Sequence, residues 1–220
     1  MFRELEILTA AQVAELRAIA ASATFVDGRI SNPHSTVKHN LQLHDEGAYA
    51  RSSQLLAQAL LASEDFRNFA FPITMLPPML ARYTSEMRYG AHADAAFLQF
   101  GNQMLRSDLS CTIFLSDPAT YEGGALIVTL GTRTVAFKGA PGTAIVYPSD
   151  MLHEVEQVTA GERLVAITFI QSRIQDNFRR ELLYELNEVA ALEGLNMQPE
   201  NYARLQLVQA NLLRHWGDKA

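Results

Sequence analysis

The chain has 220 residues, of which 48% are hydrophobic and 19% charged, with a net charge of −6; this suits a folded chain with a real core. Without a basic run it excludes a surface that grips nucleic-acid phosphates, because that affinity comes from clustered Lys and Arg. The lone Cys111 excludes an internal disulfide, and no stretch approaches the roughly eighteen apolar residues of a membrane span, so a cytoplasmic chain is expected.

In chain order, "MFRELEILTAAQV" lacks the basic start, apolar stretch and cleavage site of a signal peptide. Thr9 and Gln12 form a capping box, after which Val13, Leu16, Ile19 and Ala20 share one face of a helix. "FVDGRISNPHSTVKHNLQL" carries an Asp-Gly turn signal and then reads as extended chain. Within it, Asn40 and Gln42 are candidates for a pocket mouth. "SSQLLAQALLASEDF" predicts a second helix of good helix formers.

From about residue 78 the texture changes to short runs rich in Val, Ile, Thr, Phe and Tyr: "MLARYT", "SCTIFLS", "GALIVTL", "RTVAFKG", "TAIVYP", "HEVEQV" and "ERLVAITFIQ". Gly, Pro and Asp turns separate them. Closely spaced strands with no helices between them predict an antiparallel sandwich or barrel. After Gln171 a helical period returns, with Ile174, Phe178, Leu182, Leu186 and Val189 on one stripe. Arg179 and Arg180 are expected on a solvated helix face, and a last amphipathic segment runs from about Asn201 to Trp216. The fold class is thus mainly β with flanking helices (α+β). Residues 1–77 are expected as a support packed on the barrel, 78–172 as its core and 173–220 as C-terminal helices, all in one structural domain.

The chemistry-bearing residues begin at "YGAHADAAF". His92 and Asp94 are expected just past a strand "MLARYTSEMRY", and residues two apart on extended chain project to one side. His153 follows in "YPSDMLHEVEQV". Two imidazoles and one carboxylate on one face of an octahedron leave the other face open, the arrangement of non-haem Fe(II) oxygenases. The turn at Thr159-Ala160-Gly161 is expected to return the chain antiparallel to the strand holding His153. At about 3.4 Å per residue that puts Arg163 roughly a dozen Å along the barrel, a distance suited to a five-carbon dicarboxylate held by a guanidinium. Ser149, Asp150 and His153 do not read as a hydrolase triad, since no nucleophile elbow is present. "YEGGAL" lacks the lysine and following helix of a phosphate loop and reads as a turn between strands. Cys111 reads as a buried, inert thiol.

These residues sit in longer collinear text. "RY…YGAHADAA", "DLSCTIFLSDPATYEGGAL", "GTAIVYPSDMLHEV", "VTAGERLVAITFIQS" and "RRELLYELN", with the earlier "FVDGR" and "VKHNLQL", resemble the PKHD-type hydroxylases, relatives of prolyl 4-hydroxylase. The resemblance implies a double-stranded β-helix (a jelly-roll, cupin-like barrel) whose iron ligands are His92, Asp94 and His153. It implies Fe(II), 2-oxoglutarate and O₂ as cofactor and co-substrates, ascorbate as a reductant, and Arg163 as the anchor of 2-oxoglutarate. Tyr83 matches a tyrosine that hydrogen-bonds the distal carboxylate of the co-substrate, and Tyr89 a second aromatic there, for which contact with the co-substrate and a packing role both stay open. The expected reaction is hydroxylation of a peptidyl or small-molecule substrate, with succinate and CO₂ formed, by a chain for which the resemblance implies a homodimer. A carboxylate at position 94, where related halogenases carry a small residue, favours hydroxylation. "TSEMR" and "AAFLQFGNQMLRSDLS" depart from the family pattern, which leaves the substrate open. The alternatives are a non-redox metal cupin using the same three ligands and a catalytically silent barrel. Arg163 discriminates against the cupin, which needs no dicarboxylate anchor.

Overall fold

The structure is a computed structural model describing residues 2–218. Its first helix, α1 (Ala10–Ser22), starts on the predicted capping box: Gln12 N–H donates to Thr9 Oγ1 at 3.3 Å and Thr9 N–H to Gln12 Oε1 at 2.8 Å. Val13, Leu16, Ile19 and Ala20 are its buried residues. The second predicted helix is two. α2 (Glu46–Ala62) begins earlier, at an Asp45 cap, and α3 (Glu64–Ala70) restarts at Ser63, whose hydroxyl accepts the Phe66 N–H. A serine competes for backbone donors in this way, so an otherwise helical sequence breaks there.

The body of the protein is antiparallel β. Seven strands of the larger sheet run in the order Arg3–Glu6, Thr143–Pro148, Leu109–Phe114, Arg163–Ser172, Met79–Tyr83, Leu41–Leu43 and Phe25–Asp27, while Pro72–Met75 pairs with the far end of the long central strand. A five-stranded sheet runs Arg133–Phe137, Leu126–Leu130, His153–Val155, Arg88–His92 and Lys38–His39. The two sheets make the jelly-roll of a double-stranded β-helix, the fold class expected.

Alternation along the strands of the larger sheet divides the core in two. Leu109, Cys111, Ile113, Ala144, Val146, Leu164 and Ala166 join the helices on one side. Phe114, Ile145, Tyr147, Val165, Ala81 and Tyr83 face the other way, against Leu126, Val128 and Val155 of the smaller sheet. Cys111 is buried in the first cluster, and burial pushes its thiol up to about 12. It has neither the exposure nor the thiolate character of a reactive cysteine.

Three local expectations need correction. "MLARYTSEMRY" is not one strand: Met79–Tyr83 belongs to the larger sheet, Arg88–His92 to the smaller, and the turn between them carries Glu86 at φ 72°. The strand holding Arg163 does not lie beside the strand holding His153. It pairs with Leu109–Phe114 and Met79–Tyr83, while the intervening Val158–Gly161 pairs with Tyr121–Gly123. Lastly, α4 (Asn177–Glu193) buries Arg180, Leu183 and Tyr184 rather than the predicted stripe; Phe178 is 68% exposed, Leu182 42% and Val189 46%. Arg180 is no solvated residue, since its guanidinium donates to Ile174 O at 2.9 Å and to Asn177 Oδ1 and so ties down the start of the helix. α5 (Pro199–Trp216) packs on α4.

Candidate metal centre

His92 is the last residue of its strand, and the chain leaves the sheet there, so Asp94 comes from the connecting segment rather than from the strand. His153 opens the neighbouring strand and stands directly opposite His92 in the antiparallel register. The ligand atoms of His92, Asp94 and His153 all lie within 4.8 Å of one another. His92 Nε2 is 3.9 Å from Asp94 Oδ1, and His153 Nε2 is 3.6 Å from Asp94 Oδ2.

Both imidazoles are oriented the same way. His92 Nδ1 donates to Gly90 O at 2.8 Å and His153 Nδ1 to Met151 O at 2.9 Å. With Nδ1 protonated, each Nε2 lone pair is free and faces the shared point, the second-sphere arrangement of metal-ligating histidines. Burial, reinforced by the neighbouring His153, holds His92 below its usual pKa and so keeps it neutral as a ligand must be. Two neutral nitrogens and a carboxylate are the donor set and count that Fe(II) takes with positions left open. These residues could hold that ion.

Asp94 is fixed by a chain of hydroxyls that sequence reading missed. Ser110 Oγ donates to Asp94 Oδ2 at 2.5 Å, which leaves Ser149 Oγ to donate to Ser110 at 2.8 Å and Ser107 Oγ to Ser149 at 2.8 Å. Ser110 points inward because it alternates with Leu109 and Cys111 on its strand. That alternation, in "DLSCTIFLS", was the available signal.

The three residues open onto a cavity of about 630 Å³ between the sheets. Arg163, 1% exposed, is the largest fully buried side chain and lines that cavity. Its guanidinium carbon lies 4.9 Å from the ring centre of Tyr83, its cross-strand partner. Its Nε has no hydrogen-bond partner, and among the described residues no carboxylate pairs with it. Burial accordingly lowers its pKa and raises that of Tyr83. A buried guanidinium without a carboxylate partner and with Nε unpaired is a costly group, and it is complementary to a carboxylate entering the cavity.

Gly124 makes this arrangement possible. At φ 66°, a Cβ there would stand 2.9 Å from Val158 Cγ2 and 3.1 Å from both Arg163 Cδ and Tyr121 Cε2. Tyr89 packs its ring on His92, with centroids 3.6 Å apart and planes 13° from parallel. Gln42 lines the cavity as expected, whereas Asn40 is buried beneath Gly28, where a Cβ would meet its Oδ1 at 1.8 Å. Asp150 accepts from Asn177 Nδ2 at 3.2 Å, a contact at the start of α4. Among the described residues no helix is long and apolar enough to cross a membrane.

The comparisons with known proteins agree with this geometry. Residues 78–171 match the model of the 2OG-Fe(II) oxygenase superfamily. A PKHD-type hydroxylase of Sphingopyxis alaskensis is 61% identical over 216 residues, covering 98% of this chain and 99% of that protein. A PKHD-type hydroxylase of Thermosynechococcus vestitus is 39% identical over 216 residues, covering 96% of each. Among solved structures, the prolyl hydroxylase of Trichoplax adhaerens, determined with a hypoxia inducible factor oxygen degradation domain peptide fragment, shares the fold at a TM-score of 0.61. It is 14% identical and covers 82% of this chain and 86% of that one. The chain therefore belongs to the PKHD-type hydroxylase family, Fe(II)- and 2-oxoglutarate-dependent oxygenases built on the jelly-roll.

Proposed function

We propose that His92, Asp94 and His153 hold the catalytic iron, and that Arg163 with Tyr83 holds the distal carboxylate of 2-oxoglutarate. The observation that carries this reading is an oriented His-Asp-His set sharing one cavity with a buried guanidinium that no carboxylate pairs and whose Nε has no partner. When bound, Fe(II) and 2-oxoglutarate supply the oxidising chemistry: O₂ is consumed, 2-oxoglutarate becomes succinate and CO₂, and one oxygen atom enters a substrate C–H bond.

The protein's part is positional. The Gly90 and Met151 carbonyls keep both imidazoles in the ligating tautomer, and the serine chain keeps one Asp94 oxygen occupied so that the carboxylate keeps a fixed orientation. Arg163 fixes the far end of the co-substrate by a charge-assisted contact in a buried site. Leu126, Tyr147, Val155 and Ile167 line the cavity and exclude bulk water, which strengthens that contact.

The decisive experiment is anaerobic titration of the Fe(II)-loaded protein with 2-oxoglutarate, followed by its visible metal-to-ligand charge-transfer band. The band is expected in wild type, weakened in Arg163→Ala and absent in His153→Ala. A wild-type protein holding stoichiometric iron without the band overturns the assignment.

The substrate is a peptidyl residue or a small molecule. Exposed Phe178, Leu182 and Val189 on α4 support a homodimer, testable by light scattering on Phe178→Glu. The single, buried thiol and an Fe(II) centre suit a reducing, cytoplasmic setting, with ascorbate as the reductant that restores Fe(II).

A further inference from the structure

The cavity contains a second cation that the iron and 2-oxoglutarate reading leaves unused. Lys38 lies on the outermost strand of the smaller sheet, opposite Tyr89 in the register. It is 6% exposed and lines the cavity. Its Nζ donates to Ser31 Oγ at 2.8 Å and lies 5.4 Å from the ring centre of Tyr89. Because Tyr89 is itself stacked on His92, the ammonium sits one aromatic ring from the candidate metal centre. In sheet order it lies on the far side of His92 from His153.

An ammonium has three N–H donors, and Ser31 takes one. Ser31 Oγ also accepts Gln42 Nε2 at 2.9 Å and donates to Gly28 O at 3.2 Å, so it has little left to offer. Among the described residues no carboxylate lies within ion-pair distance of Lys38. The two acids whose charges reach it are Asp94 and Asp27. Asp94 is committed to the metal centre and Ser110, and Asp27 is held by the Arg29 guanidinium. Burial draws Lys38 down to about 8, against the pull of those two carboxylates. A buried cation kept without a counter-ion is expensive unless something else supplies one.

Arg163 already accounts for the co-substrate. It stands in the opposite sheet, at the first residue of its strand, against its own tyrosine. The cavity thus carries two buried cations, each facing a cross-strand tyrosine. Around Lys38 the remaining groups are neutral: the amides of Gln42 and Asn32 and the Tyr89 phenol, with Asn32 Nδ2 at 3.4 Å from Tyr89 Oη. A single point charge among neutral donors matches one negative charge, whereas a phosphate dianion would call for more. The same cavity also has an apolar part to its wall, from Leu76, Pro77, Met79, Leu98 and Phe100.

We propose that Lys38 is the substrate-recognition cation, and that the substrate is a carboxylate-bearing compound whose acid group Lys38 binds while an apolar body lies along the Leu76, Met79 and Leu98 wall. This rests on the assignment of Arg163 to 2-oxoglutarate. A free acid and a carboxylate on a peptide present the same group.

The test is calorimetric titration of the protein loaded with Mn(II) and 2-oxoglutarate, using two matched pairs: 4-phenylbutyrate against 4-phenylbutanamide, and a hexaalanine with a free C-terminus against its C-terminal amide. The proposal expects the acid to bind at least about tenfold more tightly than its amide in one pair. Which pair responds separates a free from a peptidyl acid. Lys38→Met is expected to abolish the preference and Lys38→Arg to restore it. No preference in wild type for either pair, or a preference that survives in Lys38→Met, overturns the proposal. 2-Oxoglutarate is titrated into the same variants. If Lys38→Met loses it by tenfold or more while Arg163→Met does not, both Lys38 and Arg163 have been assigned wrongly. If wild type binds it and only Arg163→Met loses it, the co-substrate reading stands whatever becomes of Lys38.

Discussion

Ser110 Oγ donates to Asp94 Oδ2 at 2.5 Å, and through Ser149 and Ser107 the candidate metal ligand is tied to two further buried hydroxyls. A carboxylate held this way loses little freedom when it takes up an ion. Ser110→Ala removes that donor and leaves Ser149 without its acceptor. Metal affinity is expected to fall by roughly 10- to 100-fold, as for other second-sphere groups. Competition against a chelator of known affinity measures it. An unchanged affinity would show that Asp94 is positioned by its backbone alone.

Arg163 costs the empty protein stability because it is buried with Nε unpartnered. Arg163→Met replaces it by an apolar chain of similar length. The apo variant is expected to be as stable as wild type or more so, by up to about 3 kcal/mol in urea unfolding. The same variant loses 2-oxoglutarate, so the co-substrate no longer raises its melting temperature. Destabilisation of the apo protein by more than about 1 kcal/mol would show that Tyr83 and Tyr121 already compensate the charge.

Gly124→Ala probes the packing behind that guanidinium. The added methyl would fall on Val158, Tyr121 and the Arg163 stem, at a φ of 66° that alanine resists. A loss of about 1–3 kcal/mol of stability is expected from the backbone alone, together with weaker 2-oxoglutarate binding as Arg163 is displaced. Thermal unfolding with and without the co-substrate separates the two effects.

Lys38 gives the stability a pH dependence whose sign is fixed. Its folded pKa is drawn down to about 8 from the usual 10.5. Between those values the unfolded chain holds a proton that the folded chain has released, so stability rises with pH across that window. Below about 8 both states are charged and the full cost of burial is present. Lys38→Met is therefore expected to be more stable than wild type at pH 7, by on the order of 1–2 kcal/mol after solvent screening. The gap should close towards pH 10, as chemical denaturation at a series of pH values would reveal.

What could be read from the sequence was whatever depends on near neighbours or on strict alternation. The Thr9–Gln12 box is a contact within one turn of chain, so α1 was legible with its buried face. Short β-rich runs between turn residues announced an antiparallel sandwich, and His92, Asp94 and His153 stood out because few residue types bind metals and their order was informative. Pairing between strands was not legible. "ERLVAITFIQ" can pair with any strand of matching pattern, and only the strand order within the larger sheet put Arg163 opposite Tyr83 instead of beside the strand of His153. The period of α4 pointed to the stripe of Phe178, Leu182 and Val189, whereas packing on α3, with Tyr184 against Phe69, buries Leu183 and Tyr184 instead. Lys38 and Ser110 looked unremarkable in the chain, since a lysine is usually solvated and a serine in a strand usually neutral. Burial decides their roles, and burial depends on which strands and segments close over a side chain, a property of the assembled sandwich that no local stretch encodes.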